Sequence, residues 1–194
     1  MDDYRIAIHL WDGVEELDFA GPYEVLTAWS RQSERPVSVR TVADATFVTC
    51  SHGLKVVPDT TWDELGEIDL FLLPGGDTRP LQADAAFVDR LRRHADAGVL
   101  MASVCTGALV FAKAGLLDGR RATTHWSALD RLAAFGVEVD PDARYVDEGV
   151  VVTAAGVSAG IDMALHLVAR LDSPEAARSV RRYIQYEPEP VRSS

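Results

Sequence analysis

The stretch Gly98-Val99-Leu100-Met101-Ala102-Ser103-Val104-Cys105-Thr106-Gly107-Ala108-Leu109 decides the fold. Gly98 to Val104 is an apolar run without alternation, the pattern of a parallel strand buried on both faces. Thr106 to Ala114, closed by Gly115, reads as a short helix. Cys105 stands at the junction. A strand running directly into a helix forces that residue into a tight turn, which lifts its side chain out of the sheet. The small neighbours Thr106 and Gly107 let the turn approach the rest of a site. The arrangement is the cysteine counterpart of the serine nucleophile elbow, with Ser103 where that motif carries its leading glycine. Free N–H groups at the helix start favour a thiolate, so Cys105 is predicted to be more acidic than a free cysteine. Most lone cysteines are buried structural residues, but this placement favours function. Cys50, in Thr49-Cys50-Ser51-His52-Gly53, has no helix directly after it and reads as structural.

Outward from this segment the chain alternates strands and helices. Asp69 to Leu73 is a second apolar run, ended by Pro74-Gly75-Gly76. Paired glycines after a strand let backbone amides come close to a ligand and supply oxyanion-type hydrogen bonds, although alone they are only a turn. Tyr4 to Leu10 and Val37 to Val42 are further strands, Arg121 to His125 is a candidate strand, and Tyr145 to Ala154 is a hairpin through Asp147-Glu148-Gly149. Helical patterns cover Glu15 to Ser30, Leu81 to Ala97 and Ala128 to Phe135, with a break or fresh start at Gly21-Pro22 in the first. Ser158 is a candidate N-cap for a helix to Leu171, Ser173-Pro174-Glu175 opens the last helix, and residues 187–194 form a frayed tail. The expected architecture is α/β: one domain over 1–194, a three-layer sandwich with a mostly parallel central sheet and helices on both faces.

Active sites in such folds lie at the carboxyl ends of the strands, where Cys105 and Gly75-Gly76 both fall. Asp18, among apolar residues in Glu15-Glu16-Leu17-Asp18-Phe19, fits either a helix cap or a carboxyl whose pKa an apolar cleft has raised. His125 fits a base, an orienting group or a packed core residue beside Trp126. His9, His52, His94 and His166 form no metal-spaced set with carboxylates or cysteines, so no metal is expected.

Composition narrows the function. The 194 residues are 47% hydrophobic and 25% charged, the balance of a globular protein with a sizeable core. Thirty acidic against nineteen basic residues give a net charge of -11, which disfavours nucleic acid and anionic membranes as partners. No apolar run approaches the roughly 20 residues that span a bilayer. The acidic start Met1-Asp2-Asp3 is unlike a signal peptide, and two cysteines are too few for a disulfide scaffold, so a cytoplasmic protein is expected.

Taken together, Gly13 to Leu26, Leu73-Pro74-Gly75-Gly76, Ser103 to Leu109, Ala114 to Trp126 and Ala159-Gly160-Ile161-Asp162 resemble the ThiJ/PfpI superfamily. The likeness runs from residue 4 to about residue 187. It implies a flavodoxin-like fold akin to class I glutamine amidotransferases. Thr106 stands where many members carry His or Ala, and Asp18 where many carry Glu; with Ala122-Thr123-Thr124-His125-Trp126 they look most like the isocyanide hydratase branch. The resemblance then implies a Cys105 nucleophile, Asp18 as general acid/base, Thr106 with the Gly75 and Gly76 amides placing water and steadying charge, and His125 at the substrate. It implies no cofactor, a small-molecule substrate and a homodimer whose interface lies near Asp18. The same signature occurs in sensor domains of AraC-type regulators, whose C-terminal helix-turn-helix domain has no room after Tyr186 here. A small-molecule or redox sensor, or a glyoxalase- or amidase-like cysteine enzyme, is therefore the alternative.

Overall fold

The computed structural model of the protein describes residues 3–187. In chain order the strands are β1 (Tyr4–His9), β2 (Val37–Val42), β3 (Val48–Thr49), β4 (Lys55–Val56), β5 (Leu70–Leu73), β6 (Leu100–Val104), β7 (Arg121–Ala122), β8 (Glu138–Val139), β9 (Tyr145–Asp147) and β10 (Val151–Ala154). The α-helices are α1 (Glu16–Gln32), α2 (Arg79–Ala83), α3 (Ala85–Asp96), α4 (Gly107–Lys113), α5 (Leu129–Ala133), α6 (Ala159–Leu171) and α7 (Pro174–Tyr183). The uninterrupted apolar runs lie where their composition sends them. Every residue of β5, β6 and β10 is buried, and these strands form the middle of a six-stranded sheet ordered β2-β1-β5-β6-β10-β9. All neighbours pair in parallel except the edge strand β9, which returns antiparallel along β10 as the expected hairpin. Helices α1, α6 and α7 pack together, as do α2, α3, α4 and α5. The result is the expected α/β arrangement of a mostly parallel sheet flanked by helices.

Four expectations change. Helix α1 runs unbroken through Gly21-Pro22. The two residues serve packing between helices instead: a Cβ on Gly21 would lie 2.9 Å from Ile161 Cγ1, and one on Gly160 would lie 3.1 Å from Pro22 Cγ. The glycines thus let α1 and α6 approach closely. The pattern from Leu81 to Ala97 is two helices, because the Asp84 side chain accepts from the Ala86 and Phe87 amides at 2.9 and 3.1 Å and starts α3 afresh. Only Arg121 and Ala122 of the candidate strand are extended in a ladder, pairing parallel with β8, and His125 leads instead into a 3-10 turn at Trp126–Ala128. Ser158 precedes α6 without capping it, its hydroxyl accepting instead from Arg144 at 3.2 Å. Ser173 does cap α7, accepting from the Ala176 amide. Of the tail, 188–194 lie outside the described residues.

Candidate active site

The chain turns from β6 into α4 at Cys105, whose backbone sits at φ 58. A non-glycine residue with positive φ is uncommon, and here it performs the elbow's task of turning the side chain off the end of the sheet. Two neighbours hold the turn. The Cys105 amide donates to the Ala154 carbonyl at 3.1 Å and the Ala155 carbonyl at 2.6 Å, at the end of the adjacent strand. On the other side the Thr124 hydroxyl donates to the Cys105 carbonyl at 2.6 Å. Gly107 is dictated by crowding, since a Cβ there would run into the Leu73 carbonyl oxygen.

Asp18 comes from the first turn of α1 and is fully buried. Its Oδ2 accepts from the Gly75 amide at 2.9 Å, whereas its Oδ1 is buried with no hydrogen-bond partner among the described residues. Burial pushes this carboxyl up to about 7, against the pull of the Gly75 amide and the Cys105 thiol. Cys105 is 7% exposed, and burial together with the neighbouring Asp18 carboxylate pushes its thiol up to about 12. The expected acidic thiol is therefore corrected. The Thr106 amide does favour the thiolate, but a seven-residue helix start loses to desolvation and an adjacent carboxylate. Each group is thus held to its proton more firmly than the same group in water.

The glycine loop after β5 is the frame of the pair. A Cβ on Gly75 would sit 2.7 Å from each of Asp18 Oδ2, Cys105 Cβ and the Thr106 nitrogen. Gly76, at φ +126, leaves no room for a side chain against the Gly13 carbonyl. Thr106 ties this loop to α4: its hydroxyl donates to the Gly76 carbonyl at 2.9 Å and accepts from the Gly76 amide at 3.0 Å. Both glycine amides are thus engaged within the protein, Gly75 with Asp18 and Gly76 with Thr106, and neither is left free to meet an oxyanion. Gly75→Ala is expected to lower stability by about 1–3 kcal/mol through overpacking, measured by urea denaturation. Wild-type stability would mean that the loop yields and does not hold the pair.

His125 lies one layer out. Its Nδ1 is 2.7 Å from the Ser127 hydroxyl, and its ring packs so tightly on Gly156 that a Cβ there would overlap it. Gly156 follows Ala155, the acceptor of the Cys105 amide, so His125 braces the loop behind the thiol. Two residues of this region were not singled out from the sequence. Thr124 sits inside the Ala122-to-Trp126 segment, where nothing local marks it out from Thr123; its role appears only in the bond to the Cys105 carbonyl. Val157 has φ 50, a real outlier for a β-branched residue, and its backbone N–H favours the Asp18 carboxylate. Only the glycine before it hinted at an unusual backbone.

Near the start of α1 the structure gathers Glu15, Glu16 and His52, with ligand atoms within 4.8 Å of one another, a grouping invisible to sequence spacing. His52 Nδ1 lies 2.9 Å from Glu16 Oε2, and hydrogen bonds from His52, Glu16's own amide and Ser51 outweigh burial to hold the Glu16 carboxyl at about 2. The group is an ion-paired clamp between α1 and the β3–β4 hairpin. Cys50 is buried on that hairpin; burial and the carboxylates of Glu16, Glu15 and Asp12 push its thiol up. No described helix is long and apolar enough to cross a membrane.

The chain is 39% identical over 188 residues to an isonitrile hydratase of Pseudomonas putida, covering 96% of this chain and 80% of that one. It is 36% identical over 140 residues to the HTH-type transcriptional regulator CdhR of Pseudomonas aeruginosa, covering 71% of this chain but 41% of the regulator. The crystal structure of a ThiJ/PfpI family protein from Pseudomonas syringae superposes with a TM-score of 0.86 at 33% identity, over 99% of this chain and 78% of that one. With the DJ-1/PfpI pattern matched over residues 4–170, from β1 through most of α6, the chain belongs to the DJ-1/PfpI family.

Proposed function

We propose that the protein is a cysteine-dependent hydro-lyase that adds water to an isocyanide to give an N-substituted formamide. One observation carries the reading: a buried elbow cysteine faces a buried carboxyl poised near pH 7, a nucleophile beside a proton carrier suited to neutral conditions. The similarity to an isonitrile hydratase supplies the substrate class. The thiol sulfur attacks the isocyanide carbon as Asp18 takes its proton. Asp18 then gives that proton to the same carbon, leaving a thioimidate on Cys105. Water adds to the thioimidate carbon, its proton passing through Asp18 to the nitrogen. The tetrahedral species collapses to the formamide, the C–S bond breaks, and the hydroxyl proton returns by way of Asp18 to the sulfur. The Gly75 amide holds Oδ2 in place throughout. Thr106 acts through the Gly76 loop, and His125 positions the loop at Gly156. No cofactor takes part.

The test is turnover of an aryl isocyanide by the purified protein, followed in the ultraviolet, with formamide identified by mass spectrometry. No formamide from a folded preparation would leave the second reading, a small-molecule or redox sensor, which the likeness to part of a transcription regulator favours.

The pH profile follows from the pair. Below about 7 Asp18 is protonated and has no capacity to accept the thiol proton; above it the pair holds one proton, the reactive state, up to about 12. Initial-rate kcat/KM is therefore expected to rise with pH through about 7 and level off. A profile falling across that range would contradict Asp18 as base.

The protein is also proposed to be a homodimer built on the face shared by α1 and the β3–β4 hairpin. Leu17, Phe47, Leu54 and Val57 are exposed there, and the clamp at His52 holds the two elements together. Sedimentation velocity is expected to give twice the monomer mass; a monomer at working concentration would count against this face as an interface.

A further inference from the structure

A cavity of about 490 Å³ opens beyond the carboxyl ends of β1 and β2, against the start of α3, and Cys105, Asp18 and Gly75 are not among its walls. Its floor is His9, which is 5% exposed. The rings of Phe87 and Trp11 stack on it at 4.7 and 5.6 Å between centroids, and Trp62 lies 5.4 Å away. His9 Nδ1 is 3.2 Å from the Val42 carbonyl oxygen. A carbonyl only accepts, so Nδ1 carries the hydrogen and, on a neutral ring, Nε2 is left as an acceptor. Burial, aided by the Arg90 guanidinium and opposed by the Val42 bond, pushes His9 down to about 3, so the ring is neutral. Nε2 has no hydrogen-bond partner among the described residues. Nε2 is not among the side-chain atoms sealed from solvent without a partner, and His9 lines the cavity, so a donor within the cavity can reach this acceptor.

The rim sets the sign of that donor. Asp12, Asp44 and Asp84 all border the cavity. Each carboxylate is fixed through Oδ1 by backbone amides, of Thr49, of Trp62, and of Ala86 with Phe87. The single cation of the lining, Arg90, lies over the Trp62 ring at 4.4 Å from its centroid. Three negative charges against one favour a cationic guest. The carboxylates and His9 do not converge as a metal site, because among the described residues only Glu15, Glu16 and His52 bring three ligand atoms within 4.8 Å.

We propose that this cavity binds a small primary ammonium compound with an apolar body, its N–H donating to His9 Nε2, its charge facing the aspartates and its body against Trp11 and Phe87. A quaternary ammonium would leave Nε2 unpaired, and a neutral alcohol would leave the charge of the rim unused. The inference stands apart from the reaction at Cys105. Trp11 and Trp62 make it measurable by intrinsic fluorescence. Titration of the full chain with benzylamine at neutral pH is expected to saturate, with benzyl alcohol at least about tenfold weaker and benzoate weaker still. His9→Phe keeps an aromatic floor without the acceptor and is expected to weaken benzylamine about tenfold. Asp44→Asn, on the exposed rim and able to keep the Trp62 bond, is expected to weaken it several-fold, so a folded variant is available even if His9→Phe does not fold. No saturation by benzylamine at millimolar concentration, equal binding of the alcohol, or wild-type binding by the folded variants would overturn the proposal.

Discussion

Replacing Cys105 with alanine is expected to abolish isocyanide hydration, a fall of about 10⁴-fold or more, while Cys50→Ala leaves turnover near wild type. The difference is one of place, since both cysteines are buried. Cys105 is held at φ 58 where β6 meets α4, with its sulfur beside a carboxyl that accepts a proton near neutrality. Cys50 sits on the β3–β4 hairpin, its amide bonded to the Leu54 carbonyl in the turn, with Asp12, Glu15 and Glu16 raising its thiol and no buried acid to relay a proton. Alanine at 105 retains the amide bonds to Ala154 and Ala155 and the carbonyl bond from Thr124, so the elbow persists and the loss reports on sulfur alone. The measurement is initial-rate turnover of both variants after circular dichroism has shown them folded. Equal losses in the two would remove Cys105 from the role of nucleophile.

The middle of the fold was legible because a parallel strand covered on both faces has no polar side to hide, and β5 and β6 are therefore plain runs in the sequence. The strands β3, β4 and β8 stayed hidden, because two residues each are too few to establish a period. Gly21-Pro22 misled because its reason is tertiary: the glycine admits Ile161 and the proline rests on Gly160, 139 positions along the chain from Gly21 and known only once α1 and α6 meet. At the site, Cys105, Asp18 and the glycine loop were each visible as local exceptions, and Thr106 as part of the elbow. What local reading could not supply was the sign of their interaction. A helix start argues for an acidic thiol, but only the folded protein reveals that the thiol is desolvated against a carboxylate, and that cost is the larger. Val157 left only the hint of the glycine before it, because nothing in a β-branched residue announces a left-handed backbone.

Asp18→Asn is expected to lower turnover by about 10²-fold or more and, at the same time, to stabilise the protein at neutral and alkaline pH. The first effect follows from chemistry: the amide keeps an oxygen for the Gly75 N–H but neither accepts the thiol proton nor returns it to the isocyanide carbon. The second follows from the direction of the pKa shift. The carboxyl rises from 3.8 in its ordinary state to about 7 in the folded protein. A raised folded pKa means that the native state is most favoured while Asp18 is protonated, below the ordinary value of 3.8. That contribution is lost as pH rises through 7, where the buried group must ionise with Oδ1 unpartnered. Three pKa units correspond to about 4 kcal/mol, an upper bound on what asparagine recovers because its own amide hydrogens also need partners. The melting temperature of the variant should therefore exceed that of the wild type at pH 8 and approach it near pH 4, as read by thermal denaturation across that series. Loss of turnover with a gain in stability is the signature of a group kept for reaction at a cost to folding. Were Asp18 a structural cap, the variant would instead lose stability and keep its rate.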